Sequence, residues 1–143
     1  MTMLRRIARF RVTIGFVAGV VVLWGPGEEG LAGAVVEASA GAARVAPPTN
    51  LADLLGLSRA ASLMVSGDTG PLHIASAVGT PTVSLFGPTD PHRNGPWAPD
   101  DITVSRYGSC GCHYERRCRK PEWCLGSVEI AEVTAAIQQR FQK

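Results

Sequence analysis

The stretch Gly67-Asp68-Thr69-Gly70-Pro71-Leu72-His73 has the residue types of an anion-binding turn. Its glycines let the backbone come close to an anion, and Pro71 suits the first position of a helix because it lacks the amide hydrogen that would be orphaned there. Free amides in such a first turn can point at a diphosphate. Asp68 can accept hydrogen bonds from sugar hydroxyls, and Thr69 can add a hydroxyl donor. His73, still in the first turn, can reach a phosphate or a hydroxyl. The plainer alternative makes Asp68 a helix cap and His73 a surface histidine.

Two further places repeat this logic. In Phe86-Gly87-Pro88-Thr89-Asp90-Pro91, Gly87 and Thr89 can line the same crevice, while Asp90 can serve only as a turn cap. In Gly25-Pro26-Gly27-Glu28 a carboxylate follows a glycine turn, which suits a ribose diol as well as a helix dipole. Another kind of chemistry is offered by Cys110, Cys112, Cys118 and Cys124, with His113 beside them. Thiols so close in sequence suit a structural zinc site, although Cys-x-Cys is tighter than the usual Cys-x2-Cys. A disulfide pair and free thiols remain open beside it. The basic stretch Arg116-Arg117-Cys118-Arg119-Lys120 fits either an anionic lipid surface, acceptor phosphates or a plain solvated loop.

The elements that must hold these residues alternate between strand and helix. Val20–Trp24 reads as a buried parallel strand. A helix follows over Glu28–Ala40, and a short strand over Ala42–Ala46. Thr49 or Asn50 caps the next helix, with Leu51, Leu54, Leu55 and Ser58 at helical spacing. Leu63–Ser66 is a short strand, and the helix after Pro71 runs to Gly79, a natural left-handed stop. Thr82–Phe86 is the next strand, so the crossover between the two demands parallel pairing. Proline and glycine beyond Asp90 leave the chain irregular, with one more strand over Asp101–Ser105. A closing helix from near Ser127 carries Ile130, Val133, Ile137 and Phe141 on one stripe. The fold class is α/β: a Rossmann-like parallel sheet with flanking helices.

With 143 residues the chain has the size of one domain and little room for two. Apolar residues at 45% and charged residues at 18% describe a core-forming chain, not a disordered one. A net charge of +2 argues against a general nucleic-acid binder. Arg5, Arg6, Arg9 and Arg11 precede the apolar run Val12–Trp24, which reads either as the strand above or as the core of a signal or anchor segment. The run is shorter than the roughly 20 residues of a membrane span.

Ser66-Gly67-Asp68-Thr69-Gly70-Pro71-Leu72-His73-Ile74-Ala75, then Gly79-Thr80-Pro81, then Leu85-Phe86-Gly87-Pro88-Thr89-Asp90-Pro91, resembles the lipopolysaccharide heptosyltransferase family, glycosyltransferase family 9. The turn Trp24-Gly25-Pro26-Gly27-Glu28-Glu29 and the late cysteines share the resemblance, which covers roughly residues 17 to 141. It implies the carboxyl-terminal, donor-binding half of a GT-B enzyme over residues 17–143, after a basic and apolar start at 1–16. The implied reaction moves a heptose from an ADP-heptose-type donor to the lipid A–core glycolipid in the cytoplasm, with peripheral contact at the inner membrane. By position Asp68 contacts the sugar. The amides of Thr69, Gly70 and their neighbours hold the diphosphate, and Pro71, Leu72 and His73 complete the donor-binding loop. Glu28 (or Glu29) holds the ribose, and Gly87 and Thr89 lie beside the crevice. Helix-terminus amides can stabilise the leaving diphosphate without metal or other cofactor. The family's amino-terminal domain, expected to supply the base, has no counterpart here. The resemblance therefore implies a fragment or truncated product incomplete for catalysis. Rival readings are a non-catalytic nucleotide-sugar-binding fragment, or a small membrane-associated or zinc-stabilised interaction protein.

Overall fold

The computed structural model describes residues 19–115 and 118–143. The basic start and the first part of the apolar run fall outside them, as do Arg116 and Arg117. The chain divides into two compact units, Met1–Thr49 and Asn50–Lys143.

In the first unit β1 (Val20–Val22) is joined by α1 (Glu29–Ala38) to β2 (Ala43–Val45), and the two strands pair in parallel with Val20 opposite Ala43. The β-branched run makes the strand, and Gly27 at φ +83° makes the turn that ends it. Strand β1 is shorter than the sequence suggests and is not buried: Val20 and Val21 are 52% and 46% exposed. The indole of Trp24, just beyond it, donates to the Ala46 carbonyl at 2.8 Å. Helix α1 stops where Ala40 and Gly41 both turn left-handed, at φ 51° and 89°.

The second unit starts with α2 (Leu51–Ala60), whose amino end is fixed by a capping box. Asn50 accepts from the Asp53 amide and Asp53 accepts from the Asn50 amide, both at 3.0 Å. Such a cap contributes about 1 kcal/mol. Of the residues at helical spacing, Ser58 is buried and Leu54 and Leu55 are half-buried, while Leu51 is 72% exposed, so the expected stripe holds except at its first position. Next come β3 (Met64–Gly67), α3 (Gly70–Ala77), β4 (Thr82–Phe86), α4 (Pro91–Asn94) and β5 (Ile102–Ser105). The sheet order is β3-β4-β5, parallel throughout, with Gly67 opposite Leu85 and Phe86 opposite Ser105. The strands thus have the parallel pairing that the crossovers demand.

Successive residues of a strand face opposite sides, and Thr82, Val83 and Ser84 are all fully buried. Both faces of the middle strand are therefore covered, and Phe86 and Leu72 complete the core beside it. Each such apolar side chain contributes roughly 1.5–3 kcal/mol when buried. Two of the buried hydroxyls are tied down, while those of Ser58 and Thr82 have no partner among the described residues. Ser84 pairs with Thr103 Oγ1 at 2.9 Å, and Thr80 donates to the Ser58 carbonyl at 2.6 Å, fastening the exit of α3 to α2. Beyond β5, two 3-10 turns, Tyr107–Ser109 and Cys124–Ser127, flank the cysteine segment. The closing helix α5 (Ile130–Phe141) begins three residues later than expected, where Glu129 and Glu132 form a capping box. Phe141 is 54% exposed, and the buried residue is Ala136.

A buried carboxylate holds α5 to the sheet. Asp101, with 2% of its side chain exposed, accepts the Thr82 amide at 2.8 Å and Arg140 Nε at 3.1 Å. Arg106, leaving β5, makes a second tie: its guanidinium meets Ser127 and the Glu132 carboxylate.

Candidate functional site

Strand β3 ends at Gly67 and α3 begins at Gly70, so Asp68 and Thr69 form the whole connection. Thr69 occupies the N-cap position in extended backbone (φ −141°, ψ 166°), but its side chain does not cap the helix. Its hydroxyl pairs instead with Ser66 Oγ at 3.0 Å. The Leu72 and His73 amides turn back to the Thr69 carbonyl. Those of Thr69 and Gly70 make no hydrogen bond among the described residues. Pro71 sits in the first turn, where its missing N–H costs nothing. The result is a helix start whose leading amides are unspent and lie at the carboxyl end of a parallel strand.

Asp68 is not the cap of this helix. Its carboxylate is held by side chains: His73 Nε2 lies 2.9 Å from Oδ1, and Asn94 Nδ2 donates to Oδ2 at 3.2 Å. Only 15% of the Asp68 side chain is exposed. That burial by itself would raise its pKa, but Thr89, Asn94 and His73 together outweigh it and hold the carboxyl below the ordinary 3.8. Asp68 is therefore an anion at neutral pH. The Thr89 hydroxyl stands close enough to favour that charge, yet it is buried and makes no well-formed hydrogen bond. His73 is 43% exposed, so it is at once a surface histidine and the hydrogen-bond partner of Asp68.

The other expected residues fall in several places. Leu72 is fully buried and its amide is bonded to the Thr69 carbonyl, so its side chain belongs to the core. Gly87 is buried as well: a Cβ there would stand 3.0 Å from Cys124 Sγ and 3.1 Å from Leu125 Cγ. Its glycine identity follows from that close approach of the cysteine segment. Asp90 caps α4 by accepting the His92 amide at 2.9 Å, which is the turn role. Glu28 lies in the first unit and caps its own turn, accepting the Gly25 amide at 2.9 Å. Glu29 begins α1. Thus Asp68, Thr69, Gly70, Pro71, His73 and Thr89 come together at one end of the second sheet.

Asn94 was not foreseen. Its element, a single turn, is announced by Asp90 followed by Pro91, an N-cap and first-turn pair that the irregular reading of this stretch passed over.

The four cysteines are free thiols. Cys112 and Cys118 have sulfurs 3.8 Å apart, and the Arg119 amide donates to Cys112 Sγ at 3.3 Å. That amide is the chief cause of a lowered Cys112 pKa, whereas burial and then Cys110 push Cys124 up. Among the described residues no group of three or more His, Cys, Asp or Glu is placed to hold a metal ion. The segment packs as a loop. The Tyr114 amide donates to the Pro88 carbonyl at 3.2 Å, Tyr107 stacks on His113, and Arg93 lies over the Tyr114 ring.

The family model of glycosyltransferase family 9 (heptosyltransferase) matches residues 13–124, which include every strand and the whole Asp68 loop. The chain belongs to glycosyltransferase family 9. Among curated proteins it is similar to lipopolysaccharide heptosyltransferase 3 of Escherichia coli, 39% identical over 128 residues, covering 84% of this chain and 36% of that protein. It is also similar to lipopolysaccharide heptosyltransferase 1 of Campylobacter coli, 23% identical over 99 residues, 68% of this chain and 28% of that protein. A shorter match, 40% identical over 63 residues, joins it to the lipopolysaccharide core heptosyltransferase OpsX of Haemophilus influenzae, covering 44% and 18% of the two chains. The chain thus spans between 18% and 36% of the length of these relatives. No solved structure matches it significantly. Among the described residues no helix is long and apolar enough to cross a membrane.

Proposed function

We propose that this chain is the donor-binding part of a glycosyltransferase that moves a heptose from an ADP-heptose-type donor to the lipid A–core glycolipid. The observation that carries the reading is the connection between β3 and α3, where unspent Thr69 and Gly70 amides stand beside a fixed, ionised Asp68. The amides receive the diphosphate, whose negative charge the helix terminus favours before and after the glycosyl bond breaks. Asp68, as an anion, accepts hydrogen bonds from sugar hydroxyls, and His73 holds its Oδ1. Thr69 adds a hydroxyl at the rim, and the buried Thr89 hydroxyl stands beside the Asp68 carboxylate.

A ribose contact for Glu28 is a separate proposal. Its carboxylate would exchange the Gly25 amide for a diol. Inversion at the anomeric carbon also needs a base for the acceptor hydroxyl, which this reading places outside the chain. The same reading sets the work in the cytoplasm, with peripheral contact to the membrane that carries the acceptor.

Titration calorimetry of the purified chain with ADP-, UDP- and GDP-sugars tests the reading. Binding of an ADP-sugar in preference to the others, weakened in Asp68→Ala, supports it. Absence of any nucleotide-sugar binding overturns it. Transfer catalysed by the chain with no second protein would overturn the placement of the base.

A further inference from the structure

We propose that Asn94 is a positioning residue that fixes the Asp68 carboxylate for the bound sugar nucleotide. This rests on the donor-binding reading and deepens it. The support starts from α4, a one-turn helix none of whose residues is buried. Asp90 caps it through the His92 amide, and Pro91 pre-sets its first turn. The Asn94 amide closes on the Asp90 carbonyl at 2.9 Å, and the Gly95 amide on the Pro91 carbonyl at 2.8 Å. Gly95 is required there, because a Cβ would overlap the Pro91 carbonyl oxygen. Every available bond is thus used to hold one turn in place, and what that turn delivers is the Asn94 side chain. It reaches Asp68 from 26 residues away.

The geometry at Asp68 explains why a second donor matters. A carboxyl rotates about its Cβ–Cγ bond with a broad, two-fold preference. His73 alone, bonded to Oδ1, leaves that rotation open. Asn94 on Oδ2 closes it, so each oxygen keeps one assigned partner and presents its remaining lone pairs in a fixed direction. An amide does this without adding charge, so the carboxylate stays an acceptor. The titratable group facing Asp68 from α3 is His73; the β4–α4 segment faces it with the neutral Thr89 and Asn94.

The test compares ADP-glucose with ADP as calorimetric probes on the full chain. The wild type binds both. Asn94→Ala loses about tenfold in affinity for ADP-glucose, the size expected for a hydrogen bond to a charged group, and keeps its affinity for ADP. Asn94→Asp preserves the shape and, should Asn94→Ala melt early, keeps the idea testable. It sets two carboxyls together, so ADP-glucose binding is weak near pH 8 and recovers toward about pH 5 as one proton is shared and restores a donor. The wild type is followed over the same range as the control. If the wild type binds neither probe, the donor-binding reading falls. If it binds both while Asn94→Ala changes neither, or weakens them equally, or if Asn94→Asp shows no recovery, the positioning role is overturned and the donor-binding reading stands.

Discussion

The turn after β1 and the turn after β3 are built from the same parts: a short parallel strand, glycines, a carboxylate and a helix start. They use the carboxylate in opposite ways. Glu28 bends back onto the Gly25 amide, three residues away, and satisfies its own turn. Asp68 ignores the amides of α3 and is claimed by side chains five and 26 residues along the chain. In the first case the amide is spent, and in the second the amides stay free. The same local sequence thus leaves its helix-start amides free only where side chains from farther along hold the carboxylate.

The comparison breaks most severely at Gly95. Gly95→Ala should distort α4 and remove Asn94 from Asp68, costing about 2–4 kcal/mol of stability, read by urea unfolding. A loss below about 0.5 kcal/mol would mean that α4 is not the rigid support described above.

Next in size is the charge at Asp68. Its pKa is lowered in the folded chain, so the folded state binds fewer protons there than the unfolded state does. Its contribution is complete above the ordinary value of 3.8 and is lost as pH falls through the lowered value. Asp68→Asn should flatten the stability profile below roughly pH 4. A profile unchanged from wild type would remove the electrostatic half of the comparison.

A smaller effect is expected at the α2 cap, where Asn50→Ala should cost about 1 kcal/mol in thermal or chemical melts. The smallest is at Glu28. Glu28→Gln keeps an acceptor for the Gly25 amide, so stability should stay within about 0.5 kcal/mol of wild type. Weakened binding of ADP by that variant would give Glu28 a ligand role in addition to its turn role.

Much of this arrangement can be read from the chain. Thr82–Phe86 is bounded by Pro81 and Gly87-Pro88, and the strand has those limits in the structure. Gly79 adopts the left-handed backbone that a helix stop requires, at φ +79°. Asp68, Thr69, Gly70 and His73 are adjacent in sequence, so their meeting at one strand end follows from local order. What local order cannot supply is the partner from afar. Whether Asp68 caps α3 or is drawn away depends on Asn94, which belongs to a turn on the next strand. Gly87 shows the same limit, since its neighbours Cys124 and Leu125 arrive from almost forty residues on. The thiols are a third instance, for their spacing fits several chemistries until Cys112 and Cys118 are seen side by side as free thiols.

The Asp101 carboxylate carries a consequence for synthesis. It sits at the start of the middle strand and accepts both the Thr82 amide and Arg140. While the polypeptide is being made, Thr82 leaves the ribosome well before Arg140 does. Until that arginine emerges, the nascent sheet must either keep Asp101 in water or bury it with half of its complement. Completion of this unit is thus timed by its closing helix, and an interrupted translation ending before Arg140 would leave an open sheet for the cell to clear.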